Sequence, residues 1–149
     1  MKSLASPEVL SQVRERLLSL RADDRARWGK MTPVQMLRHL GHACEMALGD
    51  RPMKAVKGPP PKLMRWVGLW SGLRWVKNYS TIPELKRAIE EESDAEFCAL
   101  VGEVIEGKEA IAHGARWAPS HPMFGTMTKR DWMRWGYLHA DHHLRQFGR

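Results

Sequence analysis

The chain has 149 residues, 43% of them hydrophobic, with seven tryptophans and a net charge of +7. That length and content suit one domain, residues 1–149, built on a single packed core, and exclude a disordered chain. There is no uncharged apolar run long enough to span a membrane and no apolar stretch after Met1 that reads as a secretory signal.

Ser6-Pro7 reads as an N-cap followed by proline at the first helical position, and Val9, Leu10, Val13, Leu17, Leu18 and Leu20 trace an apolar stripe to about residue 21. Thr32-Pro33-Val34-Gln35 forms a capping box, the start of a second helix through Met36, His39, Leu40, Ala43, Met46 and Ala47 to near Gly49. Residues 50–62, with Pro52, Gly58, Pro59, Pro60 and Pro61, are a loop. Leu63 to Val76 is a short amphipathic segment rich in tryptophan. Thr81-Ile82-Pro83-Glu84 and Ser93-Asp94-Ala95-Glu96 resemble helix starts, predicting a short helix over 84–91 and a full one over 94–107 with Phe97, Leu100, Val101, Val104 and Ile105. Residues 113–127 read as a loop, and Thr128 with Asp131 caps a last helix over about 129–146. Four substantial helices and no credible strand pair predict an all-α fold, a four-helix bundle with a short extra helical segment in the middle.

Cys44 and Cys98 stand outside any CxxC pattern and read as buried thiols in a reducing cytoplasm. The basic residues, Arg14, Arg25, Lys54 and Lys108 among them, are scattered instead of forming a block with aromatics. They read as a solvated surface, and no nucleic-acid partner is expected.

Chemistry points to the last helix. His139 and His143 stand four apart, one turn on one face, and neutral imidazole is a common ligand of divalent metals. With seven histidines in the chain the spacing alone is weak, but both continue the inward face of Trp132, Trp135 and Gly136. His39 lies on the apolar face of the second helix, so a bundle core can bring His39, His139 and His143 together. Three neutral imidazoles in a core need partners, and a shared divalent ion supplies one. His142 is rotated by about 60° behind His139 and flanks the site or bonds elsewhere. His42 bears the same relation to His39. Asp141 points away from the ligand face, which excludes an HExxH-type peptidase. Gln146, near the helix end, either orients a ligand or is a plain polar terminus.

The stretches Thr32-Pro33-Val34-Gln35-Met36-Leu37-Arg38-His39-Leu40 and His121-Pro122-Met123-Phe124-Gly125-Thr126-Met127-Thr128, with Trp132 through His139, His142, His143, Gln146, Phe147 and Gly148, resemble the DinB/YfiT-like superfamily. The likeness is closest to a branch whose bacterial members have no assigned substrate. It spans nearly the whole chain, with residues 50–92 matching poorly. The resemblance implies a DinB-type four-helix bundle, often a homodimer, with a three-histidine divalent-metal site on His39, His139 and His143. Members with known roles include thiol S-transferases that use bacillithiol or mycothiol, and related isomerases. The family name implies no DNA binding.

Three histidine ligands leave a coordination position open, as catalytic sites do, and imidazole suits zinc or nickel. The expected activity is a metal-dependent transferase or hydrolase that activates a thiol or water against a small-molecule substrate, with a low-molecular-weight thiol as co-substrate. The alternative is a non-catalytic homodimeric bundle whose metal site is vestigial or structural. Trp66 and Trp70 either roof the pocket or pack on the bundle. A third reading, with Arg65, Arg74 and Lys77, makes 63–76 an interfacial membrane segment.

Overall fold

The protein is described by a computed structural model that covers residues 1–78 and 97–149. The predicted starts at Thr81 and Ser93 and the helix over 84–91 lie outside the described residues.

Helix α1, Pro7–Leu18, starts where Ser6 Oγ accepts the N–H of Val9. It stops three residues earlier than its apolar stripe suggests. Ser19 closes it, donating its N–H to Glu15 and its hydroxyl to Arg16, and Leu18 turns out to solvent. Helix α2, Pro33–Leu48, carries the full capping box: Gln35 N–H donates to Thr32 Oγ1, and Gln35 Oε1 accepts from Thr32 N–H.

Helix α3 is a single short turn, Pro61–Arg65, that runs directly into a π-helical turn over Trp66–Trp70, closed by Ser71 N–H on Trp66 O. Helix α4 spans Phe97–His113, six residues further than the apolar positions had marked. Helix α5, Lys129–Gln146, begins at Thr128, whose hydroxyl accepts from Asp131 N–H while the Asp131 carboxylate accepts from Thr128 N–H.

The described chain is therefore mostly helical. One departure is a two-residue antiparallel ladder, β1 Ser120–His121 with β2 Gly125–Thr126, inside the stretch expected to be a plain loop. Two residues are too few for strand alternation to show in a sequence.

The long helices share one core. Helix α1 packs on α4 and α5, α2 packs on α4 and α5, and α4 meets α5. Two glycines permit close approaches. A Cβ at Gly107 would lie 2.7 Å from the Cys44 Cβ where α4 crosses α2, and one at Gly136 would lie 2.7 Å from Leu4, whose N–H is bound to Met133 O. Met36, Leu37 and Leu40 of α2 and Trp132, Ala140 and Leu144 of α5 are wholly buried. No described helix is long and apolar enough to cross a membrane.

Two sequence expectations need correction. Cys98 is exposed and only Cys44 is buried, because α4 turns Cys98 away from α2. Lys108, read as part of a solvated surface, is 1% exposed. It lies on the inward face of α4 with Leu100, Val101, Val104 and Ile111, and its ammonium sits 5.6 Å from the centroid of the Trp135 ring. The short helical segment expected in the middle of the chain is present but covers Pro61–Trp70, ending six residues before Val76.

Candidate metal centre

The same arithmetic that buries Met36, Leu40 and Ala43 places His39 on the inner face of α2, and α5 turns His139 and His143 toward it. All three are buried. Their rings form a nearly equilateral cluster, with centroids 4.8 Å apart for His39–His139, 4.8 Å for His39–His143 and 5.0 Å for His139–His143. One ligand nitrogen from each lies within 4.8 Å of the other two, a group that could hold a metal ion. The predicted triad is thus brought together on two helices.

The nitrogens test that fit further. His39 Nε2 and His139 Nε2 face each other at 2.8 Å, a separation at which two bare lone pairs repel unless a proton or a cation lies between them. His143 Nδ1 is engaged with Gln146 Oε1 at 2.9 Å, which leaves Nε2 as its ligand atom. Gln146 is itself anchored by its amide N–H on Trp28 O at 2.8 Å. This is the outer-shell arrangement that fixes the tautomer of a metal-binding histidine, and it gives Gln146 the orienting role. The Nδ1 atoms of His39 and His139 are buried without a hydrogen-bond partner among the described residues.

Electrostatics favours ligands over cations. Burial holds His39 well below the ordinary histidine pKa, with His143 and the Lys108 ammonium adding to the effect. His139 is lowered in the same way by burial, then by His39 and His143. Burial brings His143 down to about 4, against the opposing hydrogen bond to Gln146. All three are therefore neutral near pH 7, as metal ligation requires.

The cluster opens on a cavity of about 300 Å³. Its back wall is His39, Ala43 and Met46 of α2 with Trp135, His139, His142 and His143 of α5. Its front wall is Met64, Val67 and Gly68 followed by Leu73 to Val76, and the β1–β2 turn closes one side with His121, Met123 and Phe124.

His142 does flank the site. It lies edge-on to His143 at 5.1 Å and 6.0 Å from Trp75. Asp141 points away, paired with Arg16 at 2.9 Å and Arg145 at 2.8 Å.

Of the two readings open for Trp66 and Trp70, neither lines the cavity, and the roof is Trp75. Its ring lies 5.9 Å from His139, held by its N–H on Gly68 O at 2.7 Å. Trp66 is 59% exposed, whereas Trp70 is half-buried against the core and donates to Asp131 at 2.9 Å, the packing role. Helical structure ends at Trp70, and the strap that follows passes through Gly72 at φ +80° before Trp75 bonds back to Gly68. His121 was also missed as a lining residue. Its signal was the Pro122-Met123-Phe124-Gly125 turn that follows it, which periodicity does not read.

The fold and site together define a mostly helical protein with a buried three-histidine group, able to hold one metal ion beside an apolar cavity. The chain belongs to the family described as protein of unknown function (DUF1569), whose model matches residues 2–149. No curated protein and no solved structure matches it.

Proposed function

We propose that this protein is a four-helix bundle of the DinB/YfiT-like type and a divalent-metal-dependent enzyme, with His39, His139 and His143 as ligands. The reaction proposed is thiol-dependent S-transfer, or hydrolysis, of an apolar small molecule. One observation carries the reading: three neutral, buried imidazoles converge at the floor of an apolar cavity instead of in closed core. A structural metal site has no use for such an opening, whereas a catalytic one needs it. Zinc or nickel suits the donor set.

What such an ion supplies is Lewis acidity toward a thiol or water. The remaining work belongs to the chain. Gln146 holds the ring of His143 in one tautomer, and the buried faces of Trp75 and Trp135 exclude water from the histidines. Arg74 lines the cavity with no ion-pair partner among the described residues, a cation available to an anionic substrate or thiolate. The homodimer that the family resemblance implies, and a cytoplasmic location in which the free thiols of Cys44 and Cys98 stay reduced, belong to the same proposal.

The test is turnover. Low-molecular-weight thiols offered with an aryl electrophile, alongside ester substrates, should give product with the purified protein. That product should disappear with a chelator and in His143→Ala. A second reading, a non-catalytic metal-binding bundle, draws support from the cavity lining, which includes no Asp or Glu among the described residues to act as acid or base. Bound metal without turnover across the panel favours that reading.

A further inference from the structure

His121, like His142 and Arg74, is a polar residue of the cavity lining that metal ligation leaves unused. It sits at the end of β1, 6% exposed, with its ring stacked on Phe124 at a centroid distance of 4.5 Å. Its Nδ1 accepts the N–H of Met123 at 3.1 Å. A neutral imidazole that accepts at Nδ1 carries its one proton on Nε2. Burial keeps the ring neutral, pushing its pKa down to about 3. The tautomer is therefore fixed by the turn itself.

Nε2 has no hydrogen-bond partner among the described residues, yet it is not sealed in the core as Nδ1 of His39 and His139 are. His121 lines the cavity, and an Nε2–H without a protein partner is the polar group it can offer there. Beside the β1–β2 turn the cavity thus presents an N–H donor between apolar faces, and a donor left without an acceptor there is costly. Phe124 and Trp135, the latter 5.5 Å from His121, flank it with flat apolar faces. Apart from the three clustered histidines, the other polar side chains in the lining are His142 and Arg74, the latter also a donor. No described lining residue is an Asp or Glu that could pair with a charged amine.

We infer that His121 is a ligand-binding residue whose Nε2–H holds a carbonyl or carboxylate oxygen of a small aryl or alkyl molecule, the apolar body of which fills the cavity. This rests on the reading of the cavity as a substrate site, and it names the class of substrate: acceptor-bearing, not amine-bearing.

The experiment is a titration of the full chain with 3-phenylpropionate, 3-phenylpropionamide and 3-phenylpropylamine by calorimetry, in chelator-treated and in zinc-supplemented protein. Propionate and amide should bind about tenfold or more tightly than the amine. His121→Phe keeps the stack on Phe124 and removes the donor, so it should weaken both acceptors about tenfold and leave the amine unchanged. His121→Gln, which restores an N–H donor, should recover part of the loss. The chelator-treated arm matters because no ion is then present to hold a carboxylate. Equal acceptor affinity in wild type and His121→Phe, preference for the amine, or no binding of any of the three overturns the inference. Should His121→Phe fail to fold, the order of the three ligands on wild type and the affinities of His121→Gln still decide it. Failure of zinc uptake beside His121-dependent acceptor binding would sink the metal reading alone.

Discussion

The two walls of the cavity are built on different principles. The back wall is two long helices, α2 and α5, whose inner faces are closed by side chains with almost no exposed surface, such as Leu40 and Leu144. The front wall is a five-residue helix, a π-turn and an irregular strap, in which Leu69 alone is buried while Leu73 and Val76 stand mostly in solvent. One wall holds the histidines in place through the same packing that folds the protein. The other shapes the space before them through a few hydrogen bonds, such as Trp75 to Gly68 and Arg134 to Leu69 O at 2.9 Å. Ligands that must keep a geometry belong on the first kind of structure, and the groups that meet a variable molecule belong on the second.

The sharpest way to break this comparison is to damage the back wall. Leu40→Ala removes a fully buried side chain beside His39 and should cost about 2–5 kcal/mol in denaturant unfolding. A cost below about 1 kcal/mol would mean that α2 is not the rigid element described. Next in size is Gln146→Leu, which deletes the acceptor that orients His143. Competition with a chromophoric chelator should show metal affinity about 10–100-fold weaker. An unchanged affinity would reduce Gln146 to a link between α5 and the loop at Trp28.

These effects follow the parts of the molecule that were legible in the sequence. The starts of α1, α2 and α5 were written in Ser6-Pro7, Thr32 to Gln35 and Thr128 to Asp131, because capping is local chemistry. The inner faces of α2 and α5 followed from helical period, and with them His39, His139 and His143. The front wall was not legible. The residue that covers the histidines, Trp75, lies in the irregular strap after the π-turn, where no periodicity marks which tryptophan faces inward. Lys108 was misread for a related reason: charge predicts exposure, and the long apolar stem that lets a lysine lie in a core is invisible to that rule. His121 owes its place to a turn, not to periodicity.

A smaller effect separates the histidines from the rest of the core through pH. His121 has a pKa of about 3 in the folded protein against 6.5 ordinarily. Above pH 6.5 neither folded nor unfolded chain takes up its proton, so it contributes nothing to pH dependence there. As pH falls from 6.5 toward 3, only the unfolded chain gains the proton, and stability drops by up to about 1.4 kcal/mol per pH unit. With chelator present throughout, unfolding measured from pH 7 to 5 should therefore slope less steeply in His121→Phe than in wild type. Identical slopes would show that His121 is not buried neutral. The smallest change is expected on the front wall, where Leu73→Ala, at a side chain 66% exposed, should alter stability by no more than about 0.5 kcal/mol. A cost comparable to that of Leu40→Ala would erase the distinction between the walls.

The central claim is that His39, His139 and His143 hold one metal ion. Elemental mass spectrometry of the purified protein, beside His39→Ala and His143→Ala variants shown by circular dichroism to keep their helices, tests it directly. The account predicts about one zinc or nickel per chain in the wild type and loss of that ion in both folded variants. Metal-free wild-type protein that takes up neither ion when supplied, or variants that retain the full complement, would contradict it.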